Sequence, residues 1–268
     1  MTALPKLEAQ TGAQRALAAL SIVAASVLLI WNATDVFTNL DGFRWWTPLA
    51  FLAGVAAADF LSGVVHWAAD TWGRDDTPIV GPRLLIPFRV HHVNPDDFLT
   101  RSFLDTNGDV ALIAVLVFCV ARLIPIDTTW GGPLAVACLG FAGVGGMTDQ
   151  IHQWAHMPSP PWPVRLLQNC RLFLGRSAHQ RHHGRPFDAS YCIATGWWNP
   201  LLDAIQFFRR FERAVTRLTG IAPRVDDASY DALYSRAAQS VDRSIQQAQP
   251  ASCPTDHINY LPWTRLRR

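Results

Sequence analysis

The stretch TPLAFLAGVAAADFLSGVVHWAAD, residues 47–70, is apolar along most of its length, yet it carries two carboxylates and a histidine. It is long enough to cross a membrane as a helix, which takes ~20 mostly apolar residues. Asp59, His66 and Asp70 are spaced seven and four apart, so a helix presents all three on one face. Because ionisable groups at membrane depth are costly, they are expected to have a function. The stretch therefore predicts a membrane helix that carries part of a polar site.

Three further stretches share this apolar character, at 16–31, 109–126 and 131–156. Half of the chain is hydrophobic and only 16% is charged, whereas soluble domains are about 25% charged. The first stretch follows basic residues as a signal peptide does, but it lacks a clear cleavage site, so we expect an uncleaved helix. The pattern predicts an all-α integral membrane protein with about four transmembrane helices; a soluble helical bundle is the alternative.

Arginine is unevenly distributed among the segments that join these helices. The loop 71–107 holds four arginines and the segment after residue 156 holds many more, whereas 32–46 holds only Arg44 and 127–130 holds none. Basic residues stay on the cytoplasmic side of a membrane. We therefore expect both termini and the 71–107 loop in the cytoplasm, with the protein in a bacterial inner membrane or an ER-type membrane.

Two arginine-bearing amphipathic stretches, 161–175 and 199–220, follow the last apolar stretch. They predict helices that either lie along the membrane surface or pack together as a cytoplasmic cap. The net charge of +2 gives no reason to expect a nucleic-acid partner. The five cysteines include no C-x-x-C pair, which predicts neither a disulfide framework nor a cysteine metal site.

Eight of the nine histidines fall where this topology places the cytoplasmic face of the membrane. They are too many for one tetrahedral zinc, which takes four ligands, and they suit two metals that each keep an open position. Imidazole alone does not decide which metal binds. The predicted ligands are His66, His91, His92, His152, His156, His179, His182 and His183.

Three aspartates lie near these histidines in sequence: Asp59, Asp70 and Asp149. Histidine ligands usually donate their second ring N–H to a carboxylate or a carbonyl, so we expect Asp70 and Asp149 in that role, and Asp59 less so. Charges at a helix end or an interface are the alternative. Asn107 and Asp109 are expected to cap the third helix, and Asn107 is also a candidate site residue.

Three arginines, Arg176, Arg181 and Arg185, flank HQRHH at 179–183. Arginine offers a planar fork of donors that suits a phosphate. We therefore predict that these arginines bind the phosphate of a lipid substrate, or else anchor the segment to anionic lipid.

The histidine-containing stretches are similar to those of membrane di-iron desaturases and hydroxylases, and most closely to the plasmanylethanolamine desaturase family. The matching segments are DFLSGVVHWAADTWG (59–73), PFRVHHVNPDDFLTRSFLDTNGD (87–109), QIHQWAH (150–156), HQRHH (179–183) and YCIATGWWNPLLDAIQFFRRFE (191–212). On this basis residues 46–230 are a lipid desaturase domain. Residues 1–45 hold an N-terminal segment with the first helix, and 231–268 form a polar tail.

The resemblance implies an O2-dependent enzyme with two iron ions, bound by the eight histidines. Its reaction would convert the 1-O-alkyl chain of an ether phospholipid to a 1-O-alk-1'-enyl vinyl ether, the group that defines a plasmalogen. Acyl-chain desaturation or hydroxylation at the same site is the main alternative, and a non-catalytic protein that binds metal or haem is a lesser one. The oligomeric state is left open.

The chain has no Fe–S cysteine cluster, no C-x-x-C-H haem motif and no G-x-G-x-x-G loop. Such motifs hold the cofactors that deliver electrons. A separate protein, a cytochrome b5 or a ferredoxin, is therefore expected to supply the electrons.

Overall fold

The structure is a computed structural model that describes residues 5–39, 44–184 and 187–224. All of these belong to the first of two compact units, Met1–Val225; the second, Asp226–Arg268, lies outside the described residues, as does the tail predicted at 231–268. Every regular element in the described part is a helix, which confirms the all-α prediction. A π-helical turn, Gly81–Leu85, precedes α3, and the α-helices are α1 (Gly12–Asn39), α2 (Thr47–Thr71), α3 (Ile86–Val93), α4 (Pro95–Leu99), α5 (Phe103–Ala121), α6 (Gly131–Gly145), α7 (Thr148–His156), α8 (Trp162–Asn169), α9 (Arg176–His179), α10 (Asn199–Ala204) and α11 (Phe207–Thr219).

Three helices, α1, α2 and α5, are long and apolar enough to cross a membrane, and the pair α6 and α7 makes a fourth if it counts as one span. This pair covers the stretch predicted as a single helix, but it bends by 41°. Glycine is a common site of sharp helix kinks, and Gly145 and Gly146 lie at the bend. A Cβ on Gly146 would lie 2.9 Å from the Ala142 carbonyl oxygen and 3.1 Å from the Ala114 side chain. The bend gives α7, which carries two histidines, its own direction.

The helix α5 begins at Phe103 rather than at 109. Ser102 caps it, because its hydroxyl oxygen accepts the Asp105 backbone N–H at 3.3 Å and its O–H donates to the Asp105 carboxylate at 2.6 Å. Asn107 and Asp109 therefore lie inside the helix, and their predicted capping role is wrong. Asp109 forms an ion pair with Arg83 instead.

Small residues allow close contact between the long helices. Gly54 on α2 lies against the Ala137 carbonyl of α6, and Gly140 on α6 lies against the Phe51 carbonyl of α2. A Cβ at either position would overlap with the partner's backbone. Close approach through glycine is typical of membrane helices, which gain little from burying apolar side chains against one another.

The chain after α7 folds back on the end of α2. The indole N–H of Trp67 donates to the Glu212 carboxylate of α11 at 2.8 Å, and the backbone N–H of Arg224 donates to the Thr71 carbonyl at 2.8 Å. The predicted helix at 199–220 is divided by Gln206, whose backbone is left-handed with φ 52°, and the one predicted at 161–175 ends at Asn169.

Candidate metal centre

The eight histidines come from four parts of the chain and meet at one place. Rings that are far apart in sequence lie in contact: the centroids of His66 and His182 are 4.3 Å apart, and those of His91 and His152 are 4.9 Å apart. Their ring nitrogens form two groups of donors. His66 lies on α2, His91 and His92 on α3, His152 and His156 on α7, His179 on α9, and His182 and His183 in the turn after α9.

The first group, which we call the five-histidine group, consists of His91, His152, His156, His179 and His183. The Nε2 atom of His179 lies 2.8 Å from that of His156, 2.9 Å from that of His152 and 3.1 Å from that of His183. One ring nitrogen can share a proton with only one of these neighbours, so lone pairs face one another. A cation removes this conflict, because donors at right angles around an ion at about 2.1 Å are about 3.0 Å apart.

The second group, which we call the carboxylate group, consists of His66, Asp70, His92 and His182. The Nε2 atoms of His92 and His182 are 2.8 Å apart. The Oδ2 atom of Asp70 lies 3.4 Å from Nε2 of His66, 3.6 Å from that of His182 and 3.8 Å from that of His92. The carboxylate thus lies among the donor nitrogens, whereas the sequence predicts that it accepts the second ring N–H of a histidine ligand. Asp70 is therefore a candidate ligand itself.

Consecutive histidines are divided between the two groups. His91 belongs to the five-histidine group and His92 to the carboxylate group, and their ring centroids are 4.4 Å apart. His183 and His182 are divided in the same way, with centroids 5.5 Å apart. Neighbouring residues in a chain cannot be far apart, so the two groups lie side by side.

Backbone carbonyls orient two of the donor rings. Nδ1 of His66 lies 3.1 Å from the Tyr191 carbonyl oxygen, and Nδ1 of His182 lies 2.9 Å from that of Ala189. A ring that donates from Nδ1 presents the lone pair of Nε2 to the metal position. The sequence analysis expects carboxylates in this role. It could not identify these carbonyls, because every residue has one and the sequence therefore carries no signal for them.

Asp59 supports the site from a distance. It is fully buried, and its carboxylate accepts the backbone N–H groups of Thr195 at 2.7 Å, Gly196 at 2.8 Å and Trp198 at 3.3 Å. These residues follow Tyr191 in the same loop. Asp59 therefore fixes the loop whose carbonyl orients His66. Among the described residues no hydrogen bond or ion pair joins it to a histidine, which is the role that the sequence suggests.

Asp149 lies in the first turn of α7. In the described part of the chain it forms no hydrogen bond or ion pair with a histidine.

Arg176 and Arg181 flank His179 and are exposed, while Arg185 lies outside the described residues. Their proposed contact with a phosphate stays a prediction.

A buried row of amides holds α7, which carries His152 and His156, against its neighbours. Asn107 donates to the Gln150 side chain at 3.0 Å, Gln150 donates to that of Gln153 at 2.9 Å, and Gln153 donates to the Phe98 carbonyl at 2.8 Å. The Phe98 ring in turn lies 5.1 Å from that of His152. The sequence signal for the two glutamines is their spacing of three around His152, which puts them on one helix face.

The donor rings outside the spanning helices are held neutral. Burial is the largest cause, followed for most of them by neighbouring histidines, and it lowers the pKa of His91, His92 and His179 well below its usual value. It lowers the pKa of His182 to about 4 and that of His183 to about 2. Neutral imidazole is the form that binds metal ions, so these rings are ready to do so at neutral pH.

Fold and site together define a helical membrane protein with a paired, histidine-rich site that can hold metal. The chain belongs to the lipid desaturase domain family, whose model matches residues 55–226; this confirms the resemblance and makes the protein a lipid desaturase by family. All eight histidines and Asp70 fall inside the matched region.

Named relatives agree with this assignment. The chain is 38% identical over 216 residues to a plasmanylethanolamine desaturase of Myxococcus xanthus, covering 79% of this chain and 73% of the relative. It is 40% identical over 200 residues to plasmanylethanolamine desaturase 1 of Mus musculus, covering 70% and 73%. It is 36% identical over 204 residues to the chloroplastic fatty acid desaturase 4 of Arabidopsis thaliana, covering 74% and 61%. No solved structure matches the chain.

Proposed function

We propose that the protein is a di-iron, O2-dependent desaturase that converts the 1-O-alkyl chain of an ether phospholipid, plasmanylethanolamine, to a vinyl ether. The observation that carries the proposal is the pair of adjacent donor groups, the five-histidine group and the carboxylate group. The names of the bacterial and mouse relatives support the substrate.

Iron would be held by the Nε2 atoms of the eight histidines and by the Asp70 carboxylate. When bound, two irons supply the redox chemistry that activates O2 and removes hydrogen from an unactivated carbon. The chain contributes position and surroundings. The carbonyls of Tyr191 and Ala189 keep two ligand rings in one tautomer.

Apolar rings lie against the donors and limit the access of water. The ring centroid of Phe88 is 4.7 Å from that of His66, Phe98 is 5.1 Å from His152, and Phe187 stacks on His92 at 4.9 Å. Such surroundings suit a hydrocarbon chain. His92, His156 and His183 are only partly buried, so we propose that lipid and O2 enter on their side.

The depth of the site fits the reacting carbons. His66 lies nineteen residues after Thr47, the first residue of α2, and a helix rises 1.5 Å per residue, which gives about 29 Å. A bilayer's hydrocarbon core is ~30 Å thick. The site then lies near the boundary with the headgroups, where the first carbons of the alkyl chain are. We further propose that the site lies at the cytoplasmic boundary of the membrane and that a separate electron-transfer protein supplies its electrons.

The experiment expresses the full chain in a host without plasmalogens, supplied with alkyl-ether lipid and oxygen, and analyses its phospholipids by mass spectrometry. We expect acid-labile vinyl ethers, their loss in His183→Ala, and no loss in His257→Ala, which changes the histidine outside the predicted ligand set. Purified protein should contain two irons per chain. New acyl double bonds without vinyl ethers would favour the second candidate, acyl-chain desaturation, which the name of the Arabidopsis relative supports.

A non-catalytic protein gives a different result in the same experiment. One zinc or one haem per chain, with an unchanged lipid profile, would contradict both desaturase proposals. His183→Ala must keep the thermal unfolding profile of the wild type for its loss of activity to count as a site effect.

A further inference from the structure

The helix α11, Phe207–Thr219, divides its surface into three faces. At 100° per residue, Phe208, Glu212 and Thr216 share one face, and this face packs on the protein: Phe208 and Glu212 are buried, and Glu212 accepts the Trp67 indole N–H at 2.8 Å. Arg209 lies beside it and is also engaged, donating to Glu212 and to the Tyr191 hydroxyl.

The second face of α11 is apolar and largely exposed, although Trp67 lies 5.5 Å from Phe211 and Phe60 lies 5.8 Å from Phe207, measured between ring centroids. Phe211 and Leu218 are 50% and 86% exposed, and Phe207 and Ala214 share their side of the helix. Ile205, which follows α10, lies beside these residues and is 40% exposed. Exposed apolar side chains at this density are unusual on a surface that faces water.

The third face of α11 is basic. Arg210, Arg213 and Arg217 follow at helical spacing and are all exposed. No ion pair or hydrogen bond involves their guanidinium groups within residues 5–39, 44–184 and 187–224. The apolar and basic faces meet along the side of the helix that points away from the protein. A helix with Phe and Leu on one face and Arg on the other is typical of helices that lie in the membrane interface.

The contact with α2 places α11 at the appropriate depth. Trp67, to which Glu212 binds, lies twenty residues after the start of α2 at Thr47, a rise of about 30 Å. This equals the ~30 Å thickness of a bilayer's hydrocarbon core. If α2 begins at one boundary of the core, α11 lies at the other, where headgroups and acyl chains meet.

We propose that α11 is an in-plane anchor that docks on anionic phospholipid, with Phe207, Phe211 and Leu218 among the acyl chains and Arg210, Arg213 and Arg217 on the lipid phosphates. Charge complementarity selects an anionic over a zwitterionic leaflet. Because α11 is bound to α2 at Trp67, the residue that follows His66, docking also fixes the height of the metal centre in the membrane. The proposal does not depend on which lipid the site oxidises.

Hydrogen–deuterium exchange of the full chain in nanodiscs tests the anchor. One set of nanodiscs contains only phosphatidylcholine, and the other contains about a third phosphatidylglycerol. Each arginine near an anionic surface strengthens binding about five-fold, so peptides from 207–219 should exchange at least five-fold more slowly in the anionic nanodiscs. Added salt should reduce the difference, because it screens exposed charges.

A triple variant, R210Q, R213Q and R217Q, should lose the difference between the two lipids. Glutamine keeps the helix propensity of arginine, and an unchanged unfolding profile in detergent shows that the variant folds. The control is Arg74→Gln, which removes an exposed arginine far from α11 in sequence. Equal exchange of wild-type 207–219 in both lipids, or an undiminished lipid effect in the triple variant, would overturn the proposal and assign this face to a protein partner or a second copy.

Discussion

Replacement of Asp59 tests how the loop at 189–198 supports the metal centre. Asp59→Ala removes the acceptor of the Thr195 and Gly196 backbone N–H groups, at 2.7 and 2.8 Å. A buried donor left without a partner costs roughly 1–3 kcal/mol, so we expect a loss of about 2–6 kcal/mol in the free energy of unfolding. Asp59→Asn keeps one acceptor oxygen for both groups and should cost only about 1–2 kcal/mol.

The assay is thermal unfolding in detergent, together with metal content per chain. The midpoint should fall in the order wild type, Asn, Ala, with Ala at least about 4 °C below wild type. Metal should be lost first from the carboxylate group, because the loop carries the Tyr191 carbonyl that orients His66. Asp76→Ala is the control, since Asp76 is 67% exposed in its pair with Arg74. An Ala variant as stable as the wild type would refute the role given to Asp59.

Three further predictions concern the donors and their support. His179→Ala and His182→Ala alter different groups, so metal analysis should find each variant short of one metal while the other group stays filled; loss of both metals from either variant would show that the groups do not bind independently. The metal-free protein should lose stability as the pH falls from 6.5 towards 4. The unfolded chain binds protons at ordinary histidine pKa values, whereas burial in the folded protein holds the pKa of His182 at about 4 and that of His183 at about 2. An unfolding midpoint that does not change with pH over this range would contradict the pKa shifts. Gln153→Ala leaves the Gln150 amide N–H without its acceptor and removes the bond to the Phe98 carbonyl, so the free energy of unfolding should fall by about 2 kcal/mol. A thermal unfolding midpoint equal to that of the wild type would contradict the role given to these amides.

The meeting of the eight histidines at one place could be predicted from the sequence, and for a physical reason. Helical spacing and membrane topology are properties of the chain alone, so His66, His152 and His156 can be placed on helix faces at one end of a span without coordinates. The same reasoning fails where the backbone bends or closes a loop. The 41° bend between α6 and α7 and the left-handed Gln206 depend on packing against other helices, which periodicity does not contain.

The roles of the aspartates show the same limit more sharply. Asp59 and Asp70 share one face of α2, and the sequence gives both the same expected task. The structure separates them by what lies opposite: backbone N–H groups of the 195–198 loop face Asp59, while three imidazole nitrogens face Asp70. A carboxylate's function is set by its partners, and several of these partners come from residues more than a hundred positions away.

The division of consecutive histidines between the two donor groups also explains why the site can rest on short elements. α3 has only eight residues and α9 only four, and neither is long enough to be stable alone. Each contributes to both groups, directly or through the turn that follows, so a metal bound in one group would restrain the histidines of the other. The long helix α2 fixes the position through His66 and Asp70, and metal binding would then stabilise the short elements around it. Removal of metal should accordingly increase hydrogen exchange in α3 and at 176–184 more than in α2, and equal changes in all three would contradict this division.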